Sequence, residues 1–175
     1  MSFVTDMYFL DARSLALELR KGTFSEYRTV KHLVTSFVLG GFGFSIPLTA
    51  TFENPEHPLR DAGIQLTVFI VVGVITYYGT WLTYNAHRKG DGRDYFLRFA
   101  ALSLPIGVRL TLLFFGIMVG LMALTALLAS RVGPVAQDIF EIMYVFATFT
   151  FAAMFFLRMR TYLAVAGAEN DTTAV

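Results

Sequence analysis

The chain has 175 residues, of which 55% are hydrophobic and 15% charged, with eighteen Phe, eight Tyr and a formal net charge of +1. A soluble domain has roughly a quarter of its residues charged, so the composition speaks against a water-soluble core, and the small net charge leaves no global field to attract nucleic acid. There is no Cys, which removes disulfides, zinc–thiolate centres, iron–sulfur clusters and Cys nucleophiles.

Charges at Asp6, Asp11, Arg13, Glu18, Arg20 and Lys21 interrupt the first 28 residues. No apolar stretch of signal-peptide type is present there, and the first membrane span is expected to lead insertion. Asp11 is placed to cap a short helix in which Leu15, Leu17 and Leu19 interleave with Arg13, Glu18 and Arg20, and Gly22 is its stop signal. Thr23-Phe24-Ser25-Glu26 fits a capping box, which would start a second helix leading into the first span. The Asp11–Lys21 helix reads as packed on the cytoplasmic end of a bundle, in preference to a membrane-surface or partner-binding element.

A helix crosses the hydrocarbon core in about 20 apolar residues. Four stretches qualify: about Leu33–Phe52, Ala62–Tyr84, Ile106–Ala129 and Ile139–Leu157. Runs such as Val68–Val72 and Leu110–Phe115 do not alternate, which excludes a β-barrel, and backbone groups in lipid then demand helices. Gly40, Gly41, Gly43 and Pro47 in the first span, and Gly116 and Gly120 in the third, are small-residue positions that let helix backbones approach. Short outer loops, Glu53–Pro58 and the segment near Arg131–Pro134, join spans one and two and spans three and four into two antiparallel hairpins.

The basic residues set the orientation. Arg13, Arg20, Lys21, Arg28 and Lys31 precede the first span. Arg88, Lys89, Arg93, Arg98 and Arg109 lie between the second span and the base of the third, and Arg158 and Arg160 follow the fourth. The other two connections hold only Arg60 and Arg131, alongside Glu53, Glu56, Asp61, Asp138 and Glu141. The positive-inside rule therefore places both termini and the middle loop in the cytoplasm. The inner face sums to about +4 and the outer face to about −3.

The segment from Asn85 to Arg109 is the most distinctive. Gly90-Asp91-Gly92 suits a tight turn, and Asp91 or Asp94 is placed to cap an interfacial helix bearing Tyr95, Phe96, Phe99 and Leu102 before Pro105, with a kinked continuation into the third span as the alternative. Arg109, one turn into the third span, is expected to snorkel to headgroups or to pair with Asp94 or Asp91. The basic set Arg88, Lys89, Arg93, Arg98 and Arg109 reads first as an orientation signal contacting anionic lipid headgroups, with an anion site or a partner-docking surface as alternatives. Gly-Asp-Gly-Arg-Asp is neither a Walker nor a dinucleotide motif. Asn85, Gly90-Asp91-Gly92-Arg93-Asp94-Tyr95-Phe96-Leu97-Arg98-Phe99 and Arg109, after a short N-terminal helix, resemble small uncharacterised bacterial four-helix inner-membrane proteins over about Asp11–Arg109. That resemblance implies a bacterial inner-membrane setting and no particular activity.

Intramembrane chemistry has few candidates. His32 and His87 fall at cytoplasmic helix ends and His57 outside, a poor arrangement for haem, and no His–carboxylate cluster marks a metal site. Asp138 and Glu141, spaced i, i+3, are either a dipole-favoured pair at a helix start or, in an oligomer, an outer acidic ring that attracts cations. No acid lies near the centre of a span to couple protons.

The reading is an all-α membrane protein with four transmembrane helices in two hairpins, a cytoplasmic N-terminal segment (1–31), a membrane domain (32–160) and a partly disordered cytoplasmic tail (161–175). It is expected to be a noncatalytic, self-associating module or complex subunit, including a channel or pore, without cofactor and without nucleic acid. The alternative is a small membrane-bound ligand sensor or enzyme using Asn85–Arg109.

Overall fold

The computed structural model describes residues 8–36, 38, 58–90, 94–132 and 135–168. Among them every regular element is helical: α1 (Ala12–Arg20), α2 (residues 26–36), α3 (Pro58–Arg88), α4 (Tyr95–Val132) and α5 (Val135–Gly167). Most of the expected first span, with Gly40, Gly41, Gly43 and Pro47, lies outside the described residues, as does Arg93.

Ala62–Arg88, Tyr95–Leu127 and Asp138–Gly167 are long and apolar enough to cross a membrane, with mean hydropathies of 1.7, 2.3 and 1.8 in their most apolar windows. Their large side chains face outward: Phe69, Phe115, Leu127, Ile142 and Phe146 are each more than 65% exposed. Water would penalise such a surface at about 25 cal/mol per Å², whereas lipid does not. These three helices therefore suggest a membrane protein.

At 1.5 Å per residue, α3, α4 and α5 are about 46, 57 and 50 Å long, well beyond a hydrocarbon core of about 30 Å. The buried core lies at one end of the molecule, at the start of α4 and the end of α5. Ala12, Leu15, Ala16 and Leu19 of α1 pack on Ala101, Leu102 and Ile106 of α4 and on Met159, Leu163 and Ala166 of α5. The buried face of α1 thus repeats at i, i+3, i+4, i+7, the period of a helix stripe. Leu17, grouped with Leu15 and Leu19 in the sequence reading, is 40% exposed and off that stripe.

Helix α5 lies between α3 and α4 rather than against α4 alone. Gly79 of α3 meets the Phe156 ring and Gly90 meets the Gly167 carbonyl, so closely that a Cβ at either glycine would overlap its neighbour. Because both partners advance together, α3 and α5 run parallel. Phe99 faces Phe155 and Phe114 faces Phe151, so α4 runs antiparallel to α5.

Three expectations need correction. The helix before the third span is not a separate interfacial element: α4 is continuous from Tyr95 to Val132 through Pro105. Proline removes one backbone hydrogen bond, but Ala100–Ile106 is held on both sides of that gap by packing against α1 and α5. The segment from residue 161 begins not as a tail but as the last two turns of α5, with Leu163 and Ala166 buried. The capping box is shifted. Ser25, not Thr23, caps α2 by accepting the Arg28 N–H at 3.4 Å, and Thr23 instead donates its hydroxyl to the Glu18 carbonyl of α1 at 3.3 Å.

Leu15 is fully buried and Leu112 is 63% exposed. Leu15→Ala should lower unfolding free energy by about 3 kcal/mol, as for other buried leucines. Leu112→Ala should change it by less than about 0.5 kcal/mol. Denaturation of the purified protein in mild detergent measures both, and equal effects would contradict the position of the core.

Candidate functional site at the basic end

The basic end is built on the docking of α1. The Asp11 carboxylate accepts the Ser14 N–H at 3.0 Å and the Ser14 hydroxyl at 2.6 Å, satisfying an orphan donor of the first turn. Those two bonds hold its pKa below the ordinary value, with a further contribution from the Arg109 charge. The helix stops at Gly22, whose φ of +68° suits glycine. The chain then returns so that Arg28 of α2 reaches back to α1, its Nη1 2.6 Å from Glu18 Oε1. The same guanidinium lies over the Phe24 ring at 4.5 Å and the Tyr8 ring at 5.7 Å.

His32, fully buried one turn beyond Arg28, completes this cluster. Its Nε2 accepts the Tyr8 backbone N–H at 3.2 Å. The 2.8 Å contact from Nδ1 to the Arg28 carbonyl must then be a donated N–H, which fixes the neutral Nδ1-protonated tautomer. Burial is the main cause of its lowered pKa, and the Arg28 and Lys31 charges add to it; the bond to the Arg28 carbonyl opposes them. The Tyr8 phenol is pushed up, chiefly by its hydrogen bond to Glu18 and then by burial.

A second cluster joins α3, α4 and α5. Asp94, at φ +55°, turns the chain into α4, and its carbonyl accepts the Arg98 N–H at 3.0 Å. Left-handed backbone is tolerated by aspartate better than by most side chains. The Thr83 hydroxyl donates to the Thr80 carbonyl at 2.8 Å, which leaves the Tyr95 O–H as donor to Thr83 Oγ1, also at 2.8 Å. Tyr95 is also ringed by Tyr84, His87 and Phe99. Arg98, only 8% exposed, donates from Nη1 to the Ala166 carbonyl at 3.0 Å. A cation at the last turn of α5 satisfies an open carbonyl and favours the helix dipole.

The basic residues singled out in the sequence differ in their surroundings among the described residues. Arg88 and Lys89 are exposed where α3 ends. Arg98 is buried against α5. Arg109 is exposed on α4, and its charge contributes to lowering the Asp11 pKa. Asp138 is exposed and Glu141 half-buried in the first turns of α5, and each has interaction partners. Gly116 and Gly120 face open space. Among the described residues, no group of three His, Asp or Glu side chains is placed to hold a metal ion. Both His32 ring nitrogens are engaged, so that ring offers no open position to haem iron.

Two features escaped sequence reasoning. The Tyr8–His32 bond joins residues 24 apart and leaves no periodic trace. Tyr77, Trp81 and Tyr84, exposed at i, i+4, i+7 on α3, form an aromatic band of the kind found at membrane–water interfaces, and their spacing was readable. No family model matches the chain, and no curated protein or solved structure is similar to it.

The pH dependence of His32 has a defined sign. Unfolded, it binds a proton below its ordinary pKa of about 6.5, while the buried ring resists protonation. The unfolded state thus binds more protons in this window, and stability rises with pH. The full contribution is present above about pH 6.5 and is lost as pH falls through the depressed folded pKa. Melting temperature in detergent should fall between pH 7 and 5, and His32→Gln should flatten that slope; an unchanged slope would assign it to another group.

Proposed function

We propose that the chain is a four-span membrane protein with both termini and the middle loop in the cytoplasm, acting as a noncatalytic, self-associating module or as a subunit of a membrane complex. The observation that carries this reading is the outward apolar surface of α3, α4 and α5 combined with the open space over Gly116 and Gly120 on α4. Glycines spaced four apart let a second helix approach closely in lipid. The basic N-terminal segment, the Asn85–Arg109 segment and Arg158 and Arg160 support the cytoplasmic assignment by the positive-inside rule. The sequence resemblance supports a bacterial inner membrane. A channel is the stronger form of this reading, with Asp138 and Glu141 as the outer acidic ring. The ligand-sensor or enzyme alternative is less favoured, because Arg98 is directed at the Ala166 carbonyl.

Because the native chain has no Cys, orientation can be mapped directly. Arg60→Cys should react with an impermeant thiol reagent applied to the outside of sealed cells. Lys21→Cys and Lys89→Cys should react only after permeabilisation. Labelling of positions 60 and 89 from the same side would overturn the topology. Self-association is tested by native mass spectrometry in mild detergent. The wild type should contain more than one copy, and Gly116→Leu with Gly120→Leu should shift it towards monomer while leaving the melting temperature nearly unchanged. A strictly monomeric wild type would remove the self-associating and channel forms of this reading.

A further inference from the structure

Along one face of α3, side-chain chemistry changes in a single direction. Val74, Tyr77, Trp81, Tyr84 and Arg88 follow one another at spacings of three and four residues, so they stand in one stripe. The first four are 50%, 71%, 59% and 41% exposed, and Arg88 is exposed at the helix end. Tyr95 of α4 forms the facing wall of an open groove of about 350 Å³, lined also by Thr76, Tyr77, Thr80, Trp81 and Tyr84. The Tyr95 hydroxyl is bonded to Thr83, which ties that wall to α3.

From Val74 to Arg88 the stripe is about 21 Å long, close to one leaflet including its headgroup layer, about 20–22 Å. Its order is aliphatic, then aromatic with hydroxyls, then cationic. That is the order of polarity along a phospholipid: acyl chain, glycerol ester region, phosphate. Arg88, with exposed Lys89 beside it, places positive charge where the headgroup falls, so charge complementarity selects an anionic headgroup. We infer that this groove is a binding site for one anionic phospholipid, whose acyl chain lies along Val74, whose glycerol region lies against Tyr77, Trp81 and Tyr84, and whose phosphate is held by Arg88. The inference rests on the membrane reading above.

Trp81 is the only tryptophan in the chain, so fluorescence excited at the red edge, where tyrosine does not absorb, reports from the groove alone. The full chain would be reconstituted in phosphatidylcholine bilayers containing the same mole fraction of either brominated phosphatidylglycerol or brominated phosphatidylcholine. The brominated anionic lipid should quench Trp81 with an apparent binding constant about fivefold higher, the selectivity expected of one interfacial arginine. Arg88→Gln with Lys89→Gln should bring the ratio close to one. Equal quenching by the two lipids, or a ratio the double variant leaves unchanged, would overturn the site while leaving the membrane reading intact. No quenching by either lipid would show that Trp81 does not face lipid and would overturn the site as well.

Discussion

Helices α3, α4 and α5 are each longer than the hydrocarbon core they would cross, and the remaining architecture answers that mismatch. Apolar turns inside a bilayer need no protein cover, but turns beyond it do. In α4 and α5 the buried core lies at the basic end, where Leu102, Ile106, Met159 and Leu163 would otherwise meet water. Helix α1 supplies the cover. Full burial of a leucine contributes about 1.5–3 kcal/mol, whereas a partly exposed ion pair contributes about 1 kcal/mol or less. Leu15 and Leu19 therefore hold α1 down, and the Glu18–Arg28 pair, with side chains 20% and 25% exposed, chiefly sets how α2 leaves it.

Polar groups at this end fix geometry where apolar packing alone would permit sliding. A neutral His32 links the Tyr8 backbone to α2 through a single tautomer. Arg98 ties the start of α4 to the end of α5, and Thr83 with Tyr95 ties the end of α3 to the start of α4. Buried polar groups are costly unless satisfied, so each tie has essentially one acceptable arrangement. Along the shafts, described contacts include aromatic ones such as Phe114 with Tyr144 and Phe151. The molecule thus combines a specified basic end with apolar shafts whose outward faces are open to lipid or to other helices.

This division bears on function. The groups with distinctive chemistry lie at the basic end, yet the buried ones are occupied in holding the fold. The exposed ones, Arg88, Lys89 and Arg109, stand on different helices or turns. The aromatic stripe leading to Arg88 places that charge at the boundary between apolar and polar surroundings.

Much of the helical architecture was legible in the chain, because hydropathy and helix period are local properties. Asp11, Gly22 and the apolar runs behind α3, α4 and α5 announced themselves through residue type and spacing. The start of α2 was misplaced by two residues because Thr23 and Ser25 have nearly equal capping chemistry, and only the route of the chain around α1 selects between them. The continuity of α4 through Pro105 was likewise undetermined locally: proline's lost hydrogen bond disfavours it, and packing of Ala100–Ile106 overrides it. The destination of each arginine was not legible at all, since Arg98 and Arg109 look alike in a list of basic residues. One is buried and meets the Ala166 carbonyl, and the other is exposed on α4. By itself the sequence determined which segments are helical and apolar, because those properties are summed over neighbours in the chain. Only the tertiary structure decided which charges are buried and which exposed, because that depends on contacts between residues far apart in sequence.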